Sequence, residues 1–324
     1  MKLRRAAWTA LWTCLALAGC ASGPVSAPPP AATPAATATA PSGWLDDIPR
    51  VAVISAFEPE LGLLRQQLQG AQRYQVNGVE FHTGTVQGTP VVLFLSGISM
   101  TNAAMNTQLA LDRFRVSHIV FSGIAGGVNP QLHIGDVAVP AQWGQYLEVL
   151  MAREVAPGQY QTRPGWMDTG IAHYGMLFPR PVGVQSQARP EVHKKFWFEA
   201  DPAMLAAARA MPAPALSRCD TAGQCLGTTP QLLVGGNGVS GSAFVDNAAF
   251  REYTYATFQA HVLDMETAAV AAVAYSNAVP YIAFRSLSDL AGGGAGENQM
   301  HVFFQVAADN SAKVLLAFLT QWKP

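Results

Sequence analysis

Short apolar runs alternate along this chain with longer stretches in which apolar residues recur every three or four positions. The run at 51–55 is rich in β-branched residues, which is typical of a buried strand, and Leu61, Leu64 and Leu68 then share one face of a helix. The same pattern predicts further strands at 81–86, 90–95, 117–122, 135–139, 231–234, 262–264 and 281–285, and helices at 60–68, 102–114, 203–210, 266–277 and 301–322. This alternation predicts an α/β fold with a mixed central sheet flanked by helices.

The first 43 residues predict targeting and tethering rather than a fold. The basic residues at 2–5 precede an apolar run, 6–18, which is too short to span a bilayer but typical of a signal peptide. The run ends in Leu-Ala-Gly-Cys, which resembles the bacterial lipobox, so we expect 1–19 to be a lipoprotein signal peptide and Cys20 the lipidated residue. The alternative is an ordinary secretory signal with an incidental cysteine. Residues 20–43, rich in Pro, Ala and Thr, predict a flexible tether.

The predicted lipid anchor implies a location in the bacterial cell envelope. Acyl chains would hold the protein on a membrane surface without spanning it, and by analogy with bacterial lipoproteins Ala21 indicates the outer membrane, on its periplasmic side. The body, 44–324, has no apolar run of about 18 residues, so a membrane span is not expected there. It is predicted to be one catalytic domain, in which the less regular segment 141–230 is a divergent insert that supplies an oligomer contact or a lid.

Composition narrows the classes of function. The chain is 50% hydrophobic and only 13% charged, which excludes intrinsic disorder for most of its length. A formal net charge of −1 does not supply the basic surface that a general nucleic-acid binder needs. The histidines are scattered, with no close pair at the spacing of metal ligands, so neither a metal nor an organic cofactor is expected.

Two local motifs each admit two interpretations. Cys219 and Cys225 predict a local disulfide in an oxidising compartment, with a pair of free thiols as the alternative. The stretch 236–241 matches G-x-G-x-x-G and follows a predicted strand. The residues after it do not open an amphipathic helix, however, which argues against a dinucleotide site.

Acidic residues follow three of the predicted strands. Glu58 and Glu60 come after the first strand, Asp264 and Glu266 after the strand at 262–264, and Asp289 after the strand at 281–285. In an open α/β sheet the loops beyond the carboxyl ends of the strands form the ligand crevice. A single acid at the end of a strand is most often a helix cap. Three acidic loops in a chain with few charges instead predict a ligand-binding site at this edge of the sheet.

These motifs, taken in order, resemble those of a known family. The segments that carry the resemblance are Phe-Glu-Pro-Glu at 57–60, Ser-Gly-Ile at 96–98, Ser-Gly-Ile-Ala-Gly-Gly at 122–127, Asp-Met-Glu at 264–266 and Arg-Ser-Leu-Ser-Asp at 285–289. They are similar to those of the nucleoside phosphorylase/nucleosidase superfamily, which has the three-layer purine phosphorylase fold. Within it they most resemble the methylthioadenosine/S-adenosylhomocysteine nucleosidases, with further likeness to plant storage relatives. The resemblance covers about 49–140 and 230–324.

The resemblance implies hydrolysis of the bond between the ribose and the purine of an adenine-type nucleoside, with water as the nucleophile. Asp289 would protonate the purine at N7, and Ser288 would position that carboxylate. Glu266 would accept hydrogen bonds from the ribose hydroxyls and favour the cationic sugar of the transition state. Glu60 would deprotonate the attacking water, with Glu58 as the alternative.

The resemblance also implies residues that contact the substrate without transferring protons: Met265, Phe244, Val245, Ser96, Gly97 and Met300. Met265 would pack against the ribose, and Phe244 would stack on the purine while the backbone of Val245 reads its edge. The turn at 96–98 would lie on the nucleophile side, and Met300 would contact the 5′ substituent.

Two residues depart from the nucleosidase pattern. Ser99 stands where glycine is usual, which would narrow the ribose pocket or alter the water site, and Ser242 stands where aspartate is usual.

Two other functions stay open. One is phosphorolysis, disfavoured because the loop at Glu58 and Glu60 carries acids instead of the arginines that bind phosphate. The other is a binding or storage role, which would not need Glu60 and its partner acids. Superfamily members assemble as oligomers, so a homo-oligomer is expected.

Overall fold

The computed structural model describes residues 43–162, 169–221 and 223–324. The predicted signal peptide, Cys20 and nearly all of the tether lie outside these residues. The helices are α1 (Glu58–Gln66), α2 (Met100–Arg113), α3 (Pro202–Ala210), α4 (Ala248–Phe258), α5 (Thr267–Ser276) and α6 (Met300–Gln321). The strands are β1 (Arg50–Ser55), β2 (Gln69–Val76), β3 (Val79–Val86), β4 (Thr89–Leu95), β5 (Val116–Gly127), β6 (Val137–Val139), β7 (Gln142–Gln145), β8 (Val149–Met151), β9 (Arg153–Ala156), β10 (Gln159–Gln161), β11 (Leu177–Pro179), β12 (Val182–Val184), β13 (His193–Lys195), β14 (Trp197–Glu199), β15 (Leu232–Val234), β16 (Asn237–Ser240), β17 (Ala260–Asp264) and β18 (Tyr281–Asp289).

A 12-stranded mixed sheet forms the centre of the fold, in the order β14-β7-β16-β17-β5-β1-β4-β3-β2. On the other side of this path, β18 pairs with β5 and β6, and β6 pairs with β15. The long strand β5 is the hub, since it runs parallel to β1 and β18 and antiparallel to β17. The carboxyl ends of β1 and β18 therefore meet beside the end of β5.

Helices cover both faces of this sheet. Every residue of β1 is buried, as expected for a strand with a helical layer on each side. Ala52 and Ile54 belong to a core cluster that includes α2 and α5, whereas Val51 and Val53 belong to one that includes α1, α3 and α6. The fold is thus the predicted three-layer α/β arrangement.

The predicted elements lie within two residues of the observed ones, except that β5 and β18 continue further. β18 is buried throughout and runs on to Asp289, which is its last residue instead of a loop residue beyond it. Sequence analysis missed β2, because most of this edge strand is exposed and polar. It also missed α4, whose start is marked by Asn247: the side chain of this residue accepts the N–H of Phe250.

The glycines of the G-x-G-x-x-G stretch serve packing, because they form and flank strand β16. A Cβ atom on Gly238 would overlap the indole of Trp143, and one on Gly236 would overlap the ring of His261. The stretch therefore builds the sheet, and its glycines let large neighbouring side chains approach the backbone.

The described part of 141–230 adds small two-stranded sheets, β8–β11, β9–β10 and β12–β13, around the main one. Cys219 and Cys225 form a disulfide in this region. The segment that follows packs Leu226 against Phe303 and Val306 of α6.

Within the described residues, α6 is also the one helix long and apolar enough to cross a membrane, but 61% of its most apolar window is buried inside the fold.

Candidate active site

A cavity of about 420 Å³ opens where β1, β5, β17 and β18 end. Its floor carries four carboxylates, and these come from the three acidic loops singled out in the sequence: Glu60, Asp264, Glu266 and Asp289. Its walls are mainly apolar, and their larger side chains are Phe57, Ile98, Phe244, Met265, Met300 and Phe304. The fold therefore concentrates acidic groups at the bottom of an apolar pocket.

Glu60 is held at the start of α1 by backbone donors. Its Oε2 accepts the N–H of Ala56 at 2.6 Å and that of Phe57 at 3.4 Å, while its Oε1 accepts the N–H of Ile124 on β5 at 2.7 Å. Glu58, the alternative considered from the sequence, is exposed and pairs with Arg65 on the surface. Glu60 is thus the acid of this loop that reaches the cavity.

Arg285 is the central cation of the site, and sequence analysis gave it no role. Its side chain is fully buried, with Nη2 2.8 Å from Asp264 Oδ2 and 3.4 Å from Glu266 Oε2, and Nη1 3.7 Å from Glu60 Oε1. Buried arginines are rare unless paired. The lone arginine of the apolar strand 281–285 therefore indicates a buried ion pair, and this signal was available in the sequence.

Asp264 supports the site from the start of α5. It accepts the N–H groups of Glu266 and Thr267, both at 3.2 Å, and the hydroxyls of Ser240 and Thr267. With Arg285 as a further partner, its oxygens are fully engaged within the protein. This arrangement fixes the backbone from which Glu266 projects.

Glu266 accepts a hydrogen bond at 2.8 Å from the backbone N–H of Ser99. Ser99 has φ 81° and ψ 157°, a conformation that is almost confined to glycine. The serine thus adopts the backbone shape of the glycine it replaces. Its side chain is not among the residues that line the cavity, and its effect on the ribose pocket or the water site stays a prediction. Ser242, the other departure from the pattern, is exposed and also lies outside the lining.

Burial sets the proton affinity of these acids. It raises the pKa of Glu60, against the opposing effects of the Arg285 charge and the backbone donors. It raises the pKa of Glu266 to about 7, where Arg285 again opposes the shift and the negative charges of Asp264 and Glu60 add to it. Glu266 can therefore exchange a proton near neutral pH, and Glu60 holds a proton more readily than an exposed glutamate does.

Asp289 also lines the cavity, and its two oxygens have different partners. Oδ1 accepts the N–H of Ala291 at 2.8 Å, and Oδ2 accepts the hydroxyl of Ser288 at 2.9 Å. Burial is the largest effect on its pKa, which is raised. A buried aspartate with a raised pKa is suited to act as an acid.

The family model of the phosphorylase superfamily matches residues 50–320. The chain belongs to this superfamily. The match spans all the elements that form the cavity, including the acidic loops and α6.

Relatives of this superfamily chain are named as nucleosidases. A 5′-methylthioadenosine/S-adenosylhomocysteine nucleosidase of Lysinibacillus sphaericus is 30% identical over 270 residues, which cover 82% of this chain and 97% of the relative. The enzyme of that name from Geobacillus kaustophilus is 27% identical over 275 residues, 85% of this chain and 98% of the relative. The solved structure of the S. pneumoniae enzyme with a transition-state inhibitor has a TM-score of 0.61 at 28% identity, covering 84% of this chain and 99% of that one.

Most of the substrate contacts expected from the superfamily resemblance line the cavity: Met265, Phe244, Val245, Ser288 and Met300. Ser96 and Gly97 are not among the lining residues, so their contact with the substrate stays a prediction. Ser96 extends the pairing of β4 with β1 through its N–H, and its hydroxyl donates to the carbonyl of Gly97. Gly97 has φ 76°, and it is Ile98 after this turn that reaches the cavity.

The described residues contain no group of three or more His, Cys, Asp or Glu side chains arranged to hold a metal ion. The acids of the floor are instead partnered by Arg285 and by backbone N–H groups. The cavity thus offers Asp289 as an acid, the carboxylates of Glu60 and Glu266, and an apolar wall; the oxygens of the fourth acid, Asp264, are engaged within the protein.

Proposed function

We propose that this protein is a nucleosidase that hydrolyses the N-glycosidic bond of an adenine-type purine nucleoside, of the methylthioadenosine/S-adenosylhomocysteine kind, to a free base and a pentose. The observation that carries the proposal is that Glu60, Glu266 and Asp289 meet at one cavity, from three segments that are distant in sequence. The names of the relatives support the same substrate class.

Departure of the base is assigned to Asp289. A proton given to the purine makes it a better leaving group, and a carboxyl whose pKa is raised by burial carries that proton closer to neutral pH. The half-exposed ring of Phe244 and the buried Val245 would hold the purine beside this acid.

Stabilisation of the sugar is assigned to Glu266. As the base leaves, positive charge develops on the ribose, and a carboxylate in a water-poor site stabilises it more strongly than in solution. The Ser99 N–H and the guanidinium of Arg285 hold this carboxylate in place. Met265, adjacent in the chain, would pack against the ribose.

Activation of water is assigned to Glu60. Its carboxylate accepts three backbone N–H groups and faces Arg285, so its orientation is set before the substrate arrives. A carboxylate that is fixed in orientation, and whose proton affinity is increased by burial, is suited to deprotonate water.

Water is favoured over phosphate by the charge of the cavity. Four carboxylates line it, and no lysine or arginine is among its lining residues. Arg285, just behind the lining, is already paired with Glu60, Asp264 and Glu266. A phosphate dianion entering this site would meet a group of carboxylates whose charge a single guanidinium compensates only in part.

We also propose that the protein is a lipid-anchored envelope protein, with 1–19 as the signal peptide and Cys20 as the lipid site, on the periplasmic side of the outer membrane. The disulfide between Cys219 and Cys225 supports an oxidising compartment. Mass spectrometry of the protein from bacterial membranes tests this: a diacylated Cys20 is expected at the N-terminus, and an unmodified Cys20 would contradict it.

A homo-oligomer is the assembly we propose. Ile98 and Phe244 line the cavity, yet 51% and 57% of their surfaces are exposed, so an apolar rim remains open to a second copy. Sedimentation of the purified protein is expected to give a dimer or larger species, and a monomer throughout would contradict this.

The function is tested by measuring base release from adenosine, methylthioadenosine and inosine in phosphate-free buffer. We expect release by the full chain, reduced by about 10²-fold or more in Glu60→Gln and in Asp289→Asn, because each removes one proton-transfer group. Glu58→Gln is the matched control and should leave the rate unchanged. No release from any nucleoside, by a folded protein that still binds purines, would contradict the proposal and indicate a binding or storage protein.

A further inference from the structure

Asn298, just before α6, contacts three separate parts of the cavity wall with one side-chain amide. Its Oδ1 accepts the N–H of Met300 at 2.9 Å, and its Nδ2 lies 3.1 Å from Asp246 Oδ1 and 3.4 Å from Asp289 Oδ1. Met300 and Asp289 line the cavity, and Asp246 follows Val245, which also lines it. A single amide therefore joins the proposed acid to the start of α6.

The two oxygens of Asp289 are not equivalent in this arrangement. Oδ1 faces two N–H donors, those of Ala291 and Asn298, and an N–H group cannot accept a proton in return. Oδ2 faces the hydroxyl of Ser288, which lies 3.4 Å from the carbonyl of Ala125 and can turn towards it. A proton on Oδ1 would point at N–H donors, whereas a proton on Oδ2 would not, because the Ser288 hydroxyl can turn away. Oδ2 is therefore the oxygen that can be protonated.

The loop that leads to Asn298 packs closely against its neighbours in its first part and is open in its middle. Gly292 packs against the backbone of Asn247, and Gly293 against Arg251. At Gly294 and Gly296, by contrast, a Cβ atom would meet nothing within 4 Å. At the far end of the loop, the side chain of Asn298 bonds to Asp246, Asp289 and the backbone of Met300.

We propose, on the basis of the nucleosidase function above, that Asn298 is a positioning residue: it fixes Oδ1 of Asp289 as an acceptor and so reserves Oδ2 for the proton given to the purine. The proton then leaves Oδ2 for the purine nitrogen as the glycosidic bond breaks, and its electron pair stays on the carboxylate. Asn298 stabilises that carboxylate through Nδ2.

Two neighbours of Asp289 act on it in opposite directions. The donor at Asn298 lowers the pKa of Asp289, and the negative charge of Asp246 raises it. The other titratable groups that line the cavity are Glu60, Asp264, Glu266 and His301, and Arg251 lies behind the loop at Gly293. These groups stay unchanged in variants at 298 and 246, so such variants report on Asp289.

The test is the pH dependence of kcat/KM for base release by the full chain, because its basic limb reports the acid of the free enzyme. Asn298→Ala should move that limb to higher pH and lower kcat by about tenfold, the value of one hydrogen bond to a charged group. Asp246→Asn should move the limb to lower pH. Gln299→Ala is the matched control, because this exposed neighbour makes no side-chain cap, and it should leave the profile unchanged.

Shifts of opposite sign at 298 and 246 would support the inference, since a purely structural role of the loop gives no such pattern. An active wild type with an unchanged limb in Asn298→Ala would overturn the role of Asn298 and leave the nucleosidase function standing. If the wild type itself released no base, the proposed function would fail and this inference with it. Should Asn298→Ala not fold, Asn298→Ser takes its place, because it keeps an acceptor for the N–H of Met300 and loses the Nδ2 donor, and an unchanged limb in that variant would overturn the inference.

Discussion

At the scale of single residues, the site depends on one cation and on the absence of one side chain. Arg285 compensates the buried charges of Glu60, Asp264 and Glu266. Gly123 on β5 makes room for this cluster, because a Cβ atom there would overlap Nη1 of Arg285 and Oε1 of Glu60. The acids could be predicted from their places after strands. Their cation was not predicted, although an arginine within an apolar strand indicates a buried, paired charge; its three carboxylate partners are distant in sequence, and only the fold shows the pairing.

Gly123→Ala tests this close approach. The added methyl group should displace Glu60 and Arg285, and we expect base release to fall by about 10²-fold, as for other small misplacements of reacting groups. Chemical denaturation should also show a loss of about 1–3 kcal/mol, typical of overpacking.

Gly62→Ala is the matched control for that experiment. Gly62 lies in α1, and a Cβ atom there would meet nothing within 4 Å. We expect unchanged activity and a gain in stability of up to about 1 kcal/mol, because alanine is the better helix former. Wild-type activity in Gly123→Ala would contradict the proposed geometry.

At the scale of elements, the hydrophobic pattern predicted those strands and helices that are buried on a regular period. It did not predict β2, whose residues are mostly exposed, or α4, which begins after a loop. It also ended β5 and β18 too early, because their last residues are small or polar and still buried. The extension of β18 carries Ser288 and Asp289 to the cavity. The hydrophobic pattern therefore does not predict the part of the strand that places the proposed acid, Asp289.

The disulfide between Cys219 and Cys225 supplies a prediction at this scale. A cross-link that closes so short a loop restricts the unfolded chain, and the lost entropy stabilises the folded state by about 2 kcal/mol. The double change Cys219→Ser with Cys225→Ser should lower the free energy of unfolding by about that amount. Activity should be retained, because no cavity-lining residue comes from this loop.

Reduction of the wild type supplies the control for the disulfide. Adding a thiol reductant should reproduce the loss of stability in the wild type and change nothing in the double variant. A wild type whose denaturation curve is insensitive to reductant would contradict a stabilising disulfide.

At the scale of the whole molecule, the buried acids link folding to pH. The pKa of Glu266 is about 7 in the folded protein and near its ordinary value of 4.5 when unfolded. The folded state therefore binds more protons between these values, so this group's contribution to stability falls as pH rises through that window. His118 and His261, whose pKa values burial lowers, act in the opposite direction.

Comparison with Glu266→Gln isolates this contribution. The free energy of unfolding of the wild type, minus that of the variant, should decrease as pH rises from about 4.5 to about 7. Denaturation at a series of pH values measures the difference, and the histidines cancel because they are common to both proteins. A difference that is constant with pH, or that increases, would contradict the raised pKa of Glu266.

The central claim is that the carboxylates of this cavity direct water, and not phosphate, to the sugar. The most direct measurement is to incubate the full chain with methylthioadenosine and inorganic phosphate and to follow the products by ³¹P nuclear magnetic resonance together with base release. The account predicts free base at the same rate with and without phosphate, and inorganic phosphate as the only phosphorus signal. The appearance of a sugar 1-phosphate, or base release that requires phosphate, would contradict it.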